Sequence, residues 1–212
     1  MTVANTVRII RRTPWNHRQR ANLYNWPELQ SQSQERLLMA INVTASILFT
    51  QENSNFNDTL TEALRIMGQS VDVDRVAIWK NYPENACIRI SRTGCWNSKK
   101  LGEKSGDTVP GDFFIEEIFP YWDLILGKQM VLNYHNSDLK EPFRSLAINN
   151  DIHSVLTIPI TSKGSYWGFI CFSSCIEGRI YSSTEKKLLR SGGNLIAAAI
   201  DNNKEGLRLV RR

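Results

Sequence analysis

The sequence has no apolar run that approaches the roughly 20 residues a membrane-spanning helix requires. Its opening segment, Met1–Arg12, contains no apolar stretch of the length that a secretory signal needs. Cysteine is sparse and forms no CxxC pair, its four positions being Cys87, Cys95, Cys171 and Cys175. We therefore expect a cytoplasmic protein whose thiols are reduced.

Motifs for metal ions, phosphates and nucleophilic catalysis are also missing. No GxSxG, P-loop or GxGxxG string occurs. The histidines, His17, His135 and His153, are not spaced as a pair of metal ligands. The adjacent residues Glu116 and Glu117 would not face each other on a helix. The sequence thus predicts neither a metal site nor an acid–base pair.

Acidic residues are absent before Glu28, and this absence explains the net charge of +5. The remaining chain has 21 basic and 21 acidic residues and is neutral. We interpret residues 1–32 as a basic, poorly ordered arm, with a contact to RNA, DNA or an acidic lipid as the alternative. Residues 33–204 would form the domain and 205–212 a short tail. The arm contains five arginines: Arg8, Arg11, Arg12, Arg18 and Arg20.

Helical spacing of apolar residues predicts helices near both ends of the domain. The first spans Ser33–Thr50, and a second, capped by Asn55 or Asn57, follows it. The last spans Ser183–Lys204 and opens with an S-x-x-E capping box. Its paired glycines at 192 and 193 either weaken the helix or permit a close contact with a sheet.

Apolar β-rich runs predict two hairpins. Asp74–Tyr82 and Cys87–Arg92 form the first, joined by a turn at Pro83–Ala86. Ser154–Ile160 and Tyr166–Ser173 form the second, which we expect in the middle of a sheet. Within it, Pro159 removes one hydrogen-bond donor and predicts a bulge or an unpaired position there.

The segment between the hairpins is less regular. We expect a loop over 93–111, an irregular aromatic segment over Phe113–Gln129, a short strand at Met130–Tyr134 and a helix over Leu139–Asn149. Pro120 prevents one continuous helix through the aromatic segment. Antiparallel pairing with helices at both ends predicts an α+β fold, with terminal helices on one face of the sheet.

The ordered set DRVAIW, FPYWDLILGKQMV, DIHSVLTIPI, YWGFICFS and S-x-x-E-x-x-LL resembles the GAF domain family over about residues 35–203. It looks most like the GAF domains of bacterial sensor histidine kinases and diguanylate cyclases. The resemblance implies a six-stranded antiparallel sheet with the first and last helices on one face. It also implies a lid of loops and short helices around Trp96–Ala147, closing a small-molecule cavity on the other face.

The resemblance also bears on particular ligands and reactions. Bilin-binding relatives carry a Cys–His pair on the helix before the second hairpin, and Leu139–Asn149 has neither residue, so no covalent bilin is expected. The Asn-Lys-X-Phe-Asp-Glu signature of phosphodiesterase GAF domains is absent, which leaves bacterial purine-sensing versions open. One branch of the family reduces free methionine sulfoxide with a thiol, and Cys95, which has Lys99 and Lys100 as basic neighbours, is the candidate here. The cysteine–glycine cluster that this branch carries in its lid is absent.

If the resemblance holds, aromatic residues line the cavity and a few polar groups orient the ligand. We expect His153, Ser154 and Thr157 to supply the polar groups, with His153 as a hydrogen-bond donor or pH-sensitive group. The predicted aromatic ligand residues are Trp96, Phe113, Phe114, Trp122, Tyr134 and Trp167.

We therefore expect a non-catalytic sensory module of a bacterial signal-transduction protein, in which an unidentified small molecule or partner biases the terminal helices. The alternatives are a thiol enzyme that reduces free methionine sulfoxide through Cys95, and a nucleic-acid-associated regulator that uses the basic arm. We expect a homodimer through Ser33–Thr50 and Ser183–Lys204. No phospho-acceptor motif, ATP-binding glycine box or GGDEF-like string occurs, so a kinase or cyclase output would lie elsewhere.

Overall fold

A computed structural model describes residues 26–50, 55–84, 87–104, 111–118 and 126–210. The chain divides into two compact units, residues 1–32 and 33–212, and the sheet lies wholly in the second. The helices are α1 Trp26–Thr50, α2 Phe56–Ser70, α3 Ile115–Ile118, α4 Phe143–Asn149 and α5 Ser183–Val210. None of these described helices has both the length and the apolar content needed to cross a bilayer.

Six strands form one antiparallel sheet with the order β3-β2-β1-β6-β5-β4. The sequence prediction of an α+β fold with a six-stranded antiparallel sheet is confirmed. The strands β5 and β6 turn at Lys163 and Gly164, whose φ angles of 52° and 78° match the twist of a hairpin. The strands are β1 Arg75–Glu84, β2 Cys87–Asn97, β3 Asp112–Phe114, β4 Leu132–His135, β5 Ser154–Ser162 and β6 Ser165–Ser174.

A bulge interrupts the β5–β6 pairing beside Pro159, where the sequence predicts one. Ile160 pairs with Gly168 and Thr161 pairs with Tyr166, so Trp167 is an extra residue on β6. A side chain at position 168 could not be accommodated, because a Cβ there would lie 2.1 Å from the carbonyl oxygen of Trp79. The bulge and its glycine therefore bring β6 close against β1.

Helices α1, α2 and α5 cover one face of the sheet, so α2 joins the two terminal helices that were predicted there. Gly192 of α5 packs against Met67, and Gly193 packs against Ile160 and Ile170. The paired glycines thus permit close packing, the second of the two predicted possibilities. The buried core between these helices and the sheet includes Leu37, Leu60, Leu64, Ile78, Leu156, Ile158, Phe172, Leu189 and Ile196.

Both predicted helix starts in the domain are capped as expected. The side chain of Asn55 accepts a hydrogen bond from the backbone N–H of Asn57. At α5 the capping box is complete, because the Ser182 N–H donates to Glu185 Oε2 at 2.8 Å and the Glu185 N–H donates to Ser182 Oγ at 3.2 Å.

Several predicted boundaries are wrong. Strand β2 continues to Asn97, since residues 94–97 pair with β1 instead of forming a loop. Helix α4 begins at Phe143 and not at 139, because Pro142 lies at its N-cap. Helix α1 begins seven residues before the predicted start, and α5 runs to Val210. Most of the predicted basic arm, the turn at 85–86 and Pro120 lie outside the described residues.

Candidate functional site

A cavity of about 150 Å³ lies on the face of the sheet opposite α1, α2 and α5. Side chains of β1, β5 and β6 form its floor. Residues from the segment between the hairpins cover it, and the described ones include Ile115, Leu126, Leu139, Phe143, Leu146 and Ala147. None of the described residues that line the cavity is acidic.

The middle of the floor is a row of small side chains. Ala77, Cys171 and Thr157 are direct cross-strand partners on β1, β6 and β5. Facing partners in a sheet lie side by side on one surface. Because none of the three side chains is large, the row leaves the space that the cavity occupies.

One end of the floor is aromatic. The rings of Trp79 and Phe169 stack with their centroids 6.1 Å apart, and Phe113 of β3 meets Trp79 edge-on at 5.5 Å. The guanidinium of Arg92 lies 5.5 Å from the Trp79 ring centroid, in a cation–π contact. This cluster fixes the wall of the cavity at the end where β1 and β6 approach most closely.

The other end of the floor is polar. Arg75 and Ser173 are cross-strand partners on β1 and β6, and both line the cavity. Arg75 exposes only 5% of its surface, and its Nε donates to Asn97 Oδ1 at 2.9 Å. A charged group is thus held at a nearly buried position beside an otherwise apolar space.

Cys171, the one described cysteine that lines the cavity, is poorly suited to redox chemistry. Burial raises the pKa of Cys171 to about 12, although the Thr157 hydroxyl, 3.3 Å from its sulfur, opposes that shift. Cys95 and Cys171 both pair with Ala77, from opposite sides. Their Cα atoms are therefore two strand spacings apart, about 9.6 Å, beyond the roughly 7 Å within which a disulfide can form.

The sequence-predicted ligand residues divide into four groups. Phe113 and Thr157 line the cavity. Phe114, Tyr134 and His153 do not line it: Phe114 points away from the face used by its neighbour Phe113, and the other two are exposed. Trp122 lies outside the described residues.

The remaining two tryptophans lie on the helix-covered face, so their predicted placement at the cavity is wrong. Trp96 is in a strand instead of the lid, and its ring packs beside Gly68 of α2. Trp167 is turned to the same face because the bulge adds it to β6. In both cases strand geometry, which the composition of the segment did not reveal, determines the face.

Sequence reasoning missed most of the floor. Arg75, Ala77 and Trp79 alternate with the core residues Val76 and Ile78 along β1, and this alternation was visible in the sequence. The family resemblance placed α4 within the expected lid, but its lining residues Phe143, Leu146 and Ala147 were not singled out from the sequence.

Helix α5 is attached to the sheet next to the aromatic end of the floor. Asp201 accepts hydrogen bonds from Lys80, from the indole of Trp167 at 2.9 Å and from the Ser162 hydroxyl at 3.3 Å. Burial alone would raise the pKa of Asp201, but the bonds from Lys80 and Trp167 outweigh burial and lower it. Three strands thus hold one carboxylate of the helix.

A second attachment lies next to the polar end. Asp74, adjacent to Arg75, accepts the backbone N–H groups of Cys175 and Ile176 at 2.8 and 3.1 Å. In the segment that follows, Arg179 donates to the Val71 carbonyl and to Glu185 in the first turn of α5. The start of the helix is therefore fixed to the end of the floor that carries Arg75.

Known proteins share both the sequence pattern and the sheet. The family model described as GAF domain matches residues 55–200. Methanogenesis regulatory histidine kinase FilI of Methanothrix harundinacea (strain 6Ac) is 24% identical over 188 residues, which are 84% of this chain and 20% of that protein. The chain thus spans about a fifth of the length of this curated relative.

Solved structures share the fold. A GAF domain of a phosphoenolpyruvate-protein phosphotransferase from Coxiella burnetii is 15% identical with a TM-score of 0.61, covering 82% of this chain and 97% of that one. A GAF domain of a putative sensor histidine kinase from Pseudomonas syringae pv. tomato is 14% identical with a TM-score of 0.55, covering 86% and 99%. A phycoerythrobilin-bound GAF domain from a cyanobacterial phytochrome is 15% identical with a TM-score of 0.56, covering 81% and 94%.

Proposed function

The chain belongs to the GAF domain family, and we propose that it is a non-catalytic sensory module that binds a small molecule in the cavity and relays occupancy through α5. It is related to a GAF-containing histidine kinase, which favours a signalling role. The main observation behind the proposal is the position of the cavity floor relative to α5. At each end of the floor, the neighbouring residue on β1 belongs to an attachment of α5: Lys80 follows Trp79, and Asp74 precedes Arg75.

The relay follows from strand alternation. Trp79 faces the cavity, and the next residue, Lys80, binds Asp201 of α5. Arg75 faces the cavity, and the preceding residue, Asp74, holds the segment that leads into α5. A ligand that favours one spacing of β1 and β6 therefore also favours one position of α5. Such a ligand has different affinities for the two positions of the helix, and this difference is what a population shift requires.

We further propose a homodimer centred on α1. Its outward surface exposes large apolar side chains, namely Leu38, Met39, Val43 and Phe49. Such a stripe is unfavourable in water and suits a helix–helix contact. The outward positions of α5 are small or polar (Lys187, Ser191, Asn194, Ala198 and Asn202), so α5 would contribute the rim of an interface that α1 dominates.

In the cell, such a module would act in the cytoplasm and regulate a kinase or cyclase output, joined to it or acting in trans. Residues 33–204 would form the sensory domain, with 1–32 as an arm and 205–212 as a tail.

Native mass spectrometry of the purified protein, combined with hydrogen exchange, tests the proposal. We expect a non-covalent small-molecule adduct in the wild type and none in Ala77→Leu, which fills the small row of the floor. Amide exchange in α5 around Asp201 should differ between the two proteins. An unbound wild type, together with identical exchange in α5, would contradict the proposal.

A further inference from the structure

The guanidinium of Arg75 has few acceptors at a nearly buried position. Among the described residues, its Nε bond to Asn97 is the only hydrogen bond it donates, and no carboxylate pairs with it. A charge that has lost its water is unfavourable without a partner. Arg75 exposes 5% of its surface and lines the cavity. Its two terminal nitrogens are thus available to donate hydrogen bonds to a molecule in the cavity.

The other polar groups of the floor already have partners. The Thr157 hydroxyl contacts the sulfur of Cys171, and the Arg92 guanidinium lies over Trp79. The remaining described lining is aliphatic or aromatic, apart from Ser173, the cross-strand partner of Arg75. The surface of the cavity is therefore almost wholly apolar, and of the two arginines that line it Arg75 is the one with neither a ring nor a carboxylate partner among the described residues.

From this arrangement we propose that the cavity binds a small carboxylate with an apolar body, which specifies the ligand class of the proposed function and rests on it. The planar fork of Arg75 would receive both carboxylate oxygens, the geometry that guanidinium groups favour. Ser173 would add a hydroxyl donor from the neighbouring strand. The apolar body would lie over Ala77, Cys171 and Thr157.

Size limits the body to a single ring or a short branched chain. The volume of about 150 Å³ is similar to that of an apolar protein cavity known to hold benzene. Nucleotides and tetrapyrroles need the larger pockets of roughly 300–1,000 Å³ that are usual for such ligands. Benzoate therefore has the size and charge to serve as a probe, although the natural ligand can be any molecule of this class.

Isothermal titration of the full chain with three probes tests the inference. Benzoate has both features, toluene has only the apolar body and acetate has only the carboxylate. We expect benzoate to bind about tenfold to a hundredfold more tightly than toluene, the range of a charge-assisted hydrogen bond. Acetate should bind more weakly than either, since it buries little apolar surface.

Variants assign the preference to Arg75. Arg75→Met should remove the advantage of benzoate and leave toluene binding unchanged, whereas Ala77→Leu should weaken both. Arg89→Met is the matched control, because Arg89 lies at a half-exposed position of β2 and pairs there with Glu84 and Asp112. Should Arg75→Met fail to fold, Arg75→Lys keeps the charge without the fork and should give an intermediate loss.

Equal binding of toluene and benzoate by both the wild type and Arg75→Met would overturn the carboxylate inference. It would leave small-molecule sensing intact, since the cavity would still bind. No detectable binding of any probe would also overturn the carboxylate inference. In that case the copurified adduct and the exchange of α5 decide the proposed function separately.

Discussion

The indole N–H of Trp167 donates to the carboxylate of Asp201 across 2.9 Å and thereby joins the bulge of β6 to α5. Lys80 and Ser162 bind the same carboxylate, so residues from β1, β5 and β6 meet on one side chain of the helix. Trp167 was predicted to contact a ligand. Its position instead makes it a structural link between the sheet and the helix through which we propose the signal leaves.

Replacing Trp167 with Phe should lower the free energy of unfolding by about 1.5–3 kcal/mol, the range for a hydrogen bond to a charged group. Urea denaturation measures this loss. In an Asp201→Ala background the same replacement should cost less, because the acceptor is already missing. Equal costs in the two backgrounds would show that the bond contributes nothing beyond packing.

The stability of the domain should fall in acid partly through Asp201. Its pKa in the folded protein is lowered, while the unfolded value is about 3.9. Its contribution is therefore complete above about pH 4 and is lost as the pH falls through the lowered pKa. Denaturation at pH 7 and pH 3 should show that Asp201→Ala loses less stability on acidification than the wild type. A parallel loss in both proteins would refute this.

Thiol reactivity should separate the exposed cysteine from the buried ones. Cys87 is exposed, whereas burial raises the pKa of Cys171 to about 12 and that of Cys175 to about 11. With a disulfide reagent at pH 8, Cys87 should therefore react first. Cys87→Ser should remove the fast phase, and all the remaining thiols should react in denaturant. A fast phase that survives in Cys87→Ser would instead assign it to Cys95.

Charge on the outward stripe of α1 should prevent dimerisation. Val43 exposes 48% of its surface, so Val43→Glu should not disturb the folded subunit while it opposes an apolar interface. Light scattering should show a dimer for the wild type and a monomer for Val43→Glu. Ala198→Glu places the same charge on the outward side of α5 and should weaken the dimer less. A monomeric wild type would remove the proposal.

The elements were predictable from the sequence where the pattern is local. The hairpin of β5 and β6, the bulge near Pro159 and the capping box at Ser182 each depend on a few neighbouring residues. The family resemblance supplied the helix-covered face.

The cavity was less predictable, because its residues come from strands that are distant in sequence. The position of Arg75 followed from the alternation along β1, but its significance depends on Ser173 and on its having no ion pair among the described residues. Trp96 was misplaced because β2 is longer than its β-rich core suggests. The number of aromatic residues predicted an aromatic-lined cavity. Strand register determines which of the aromatic rings line that cavity.

The bulge at Trp167 adds one bond to α5 that a one-codon deletion would remove without altering the floor. Residues on both sides of Trp167 keep the same alternation with their β5 partners, so removing it would close the ladder without turning Phe169 or Cys171 to the other face. Such a deletion would preserve the binding surface and remove one of the three hydrogen bonds that Asp201 accepts from the sheet. Within a lineage, recognition and response at this position could therefore diverge by separate genetic steps.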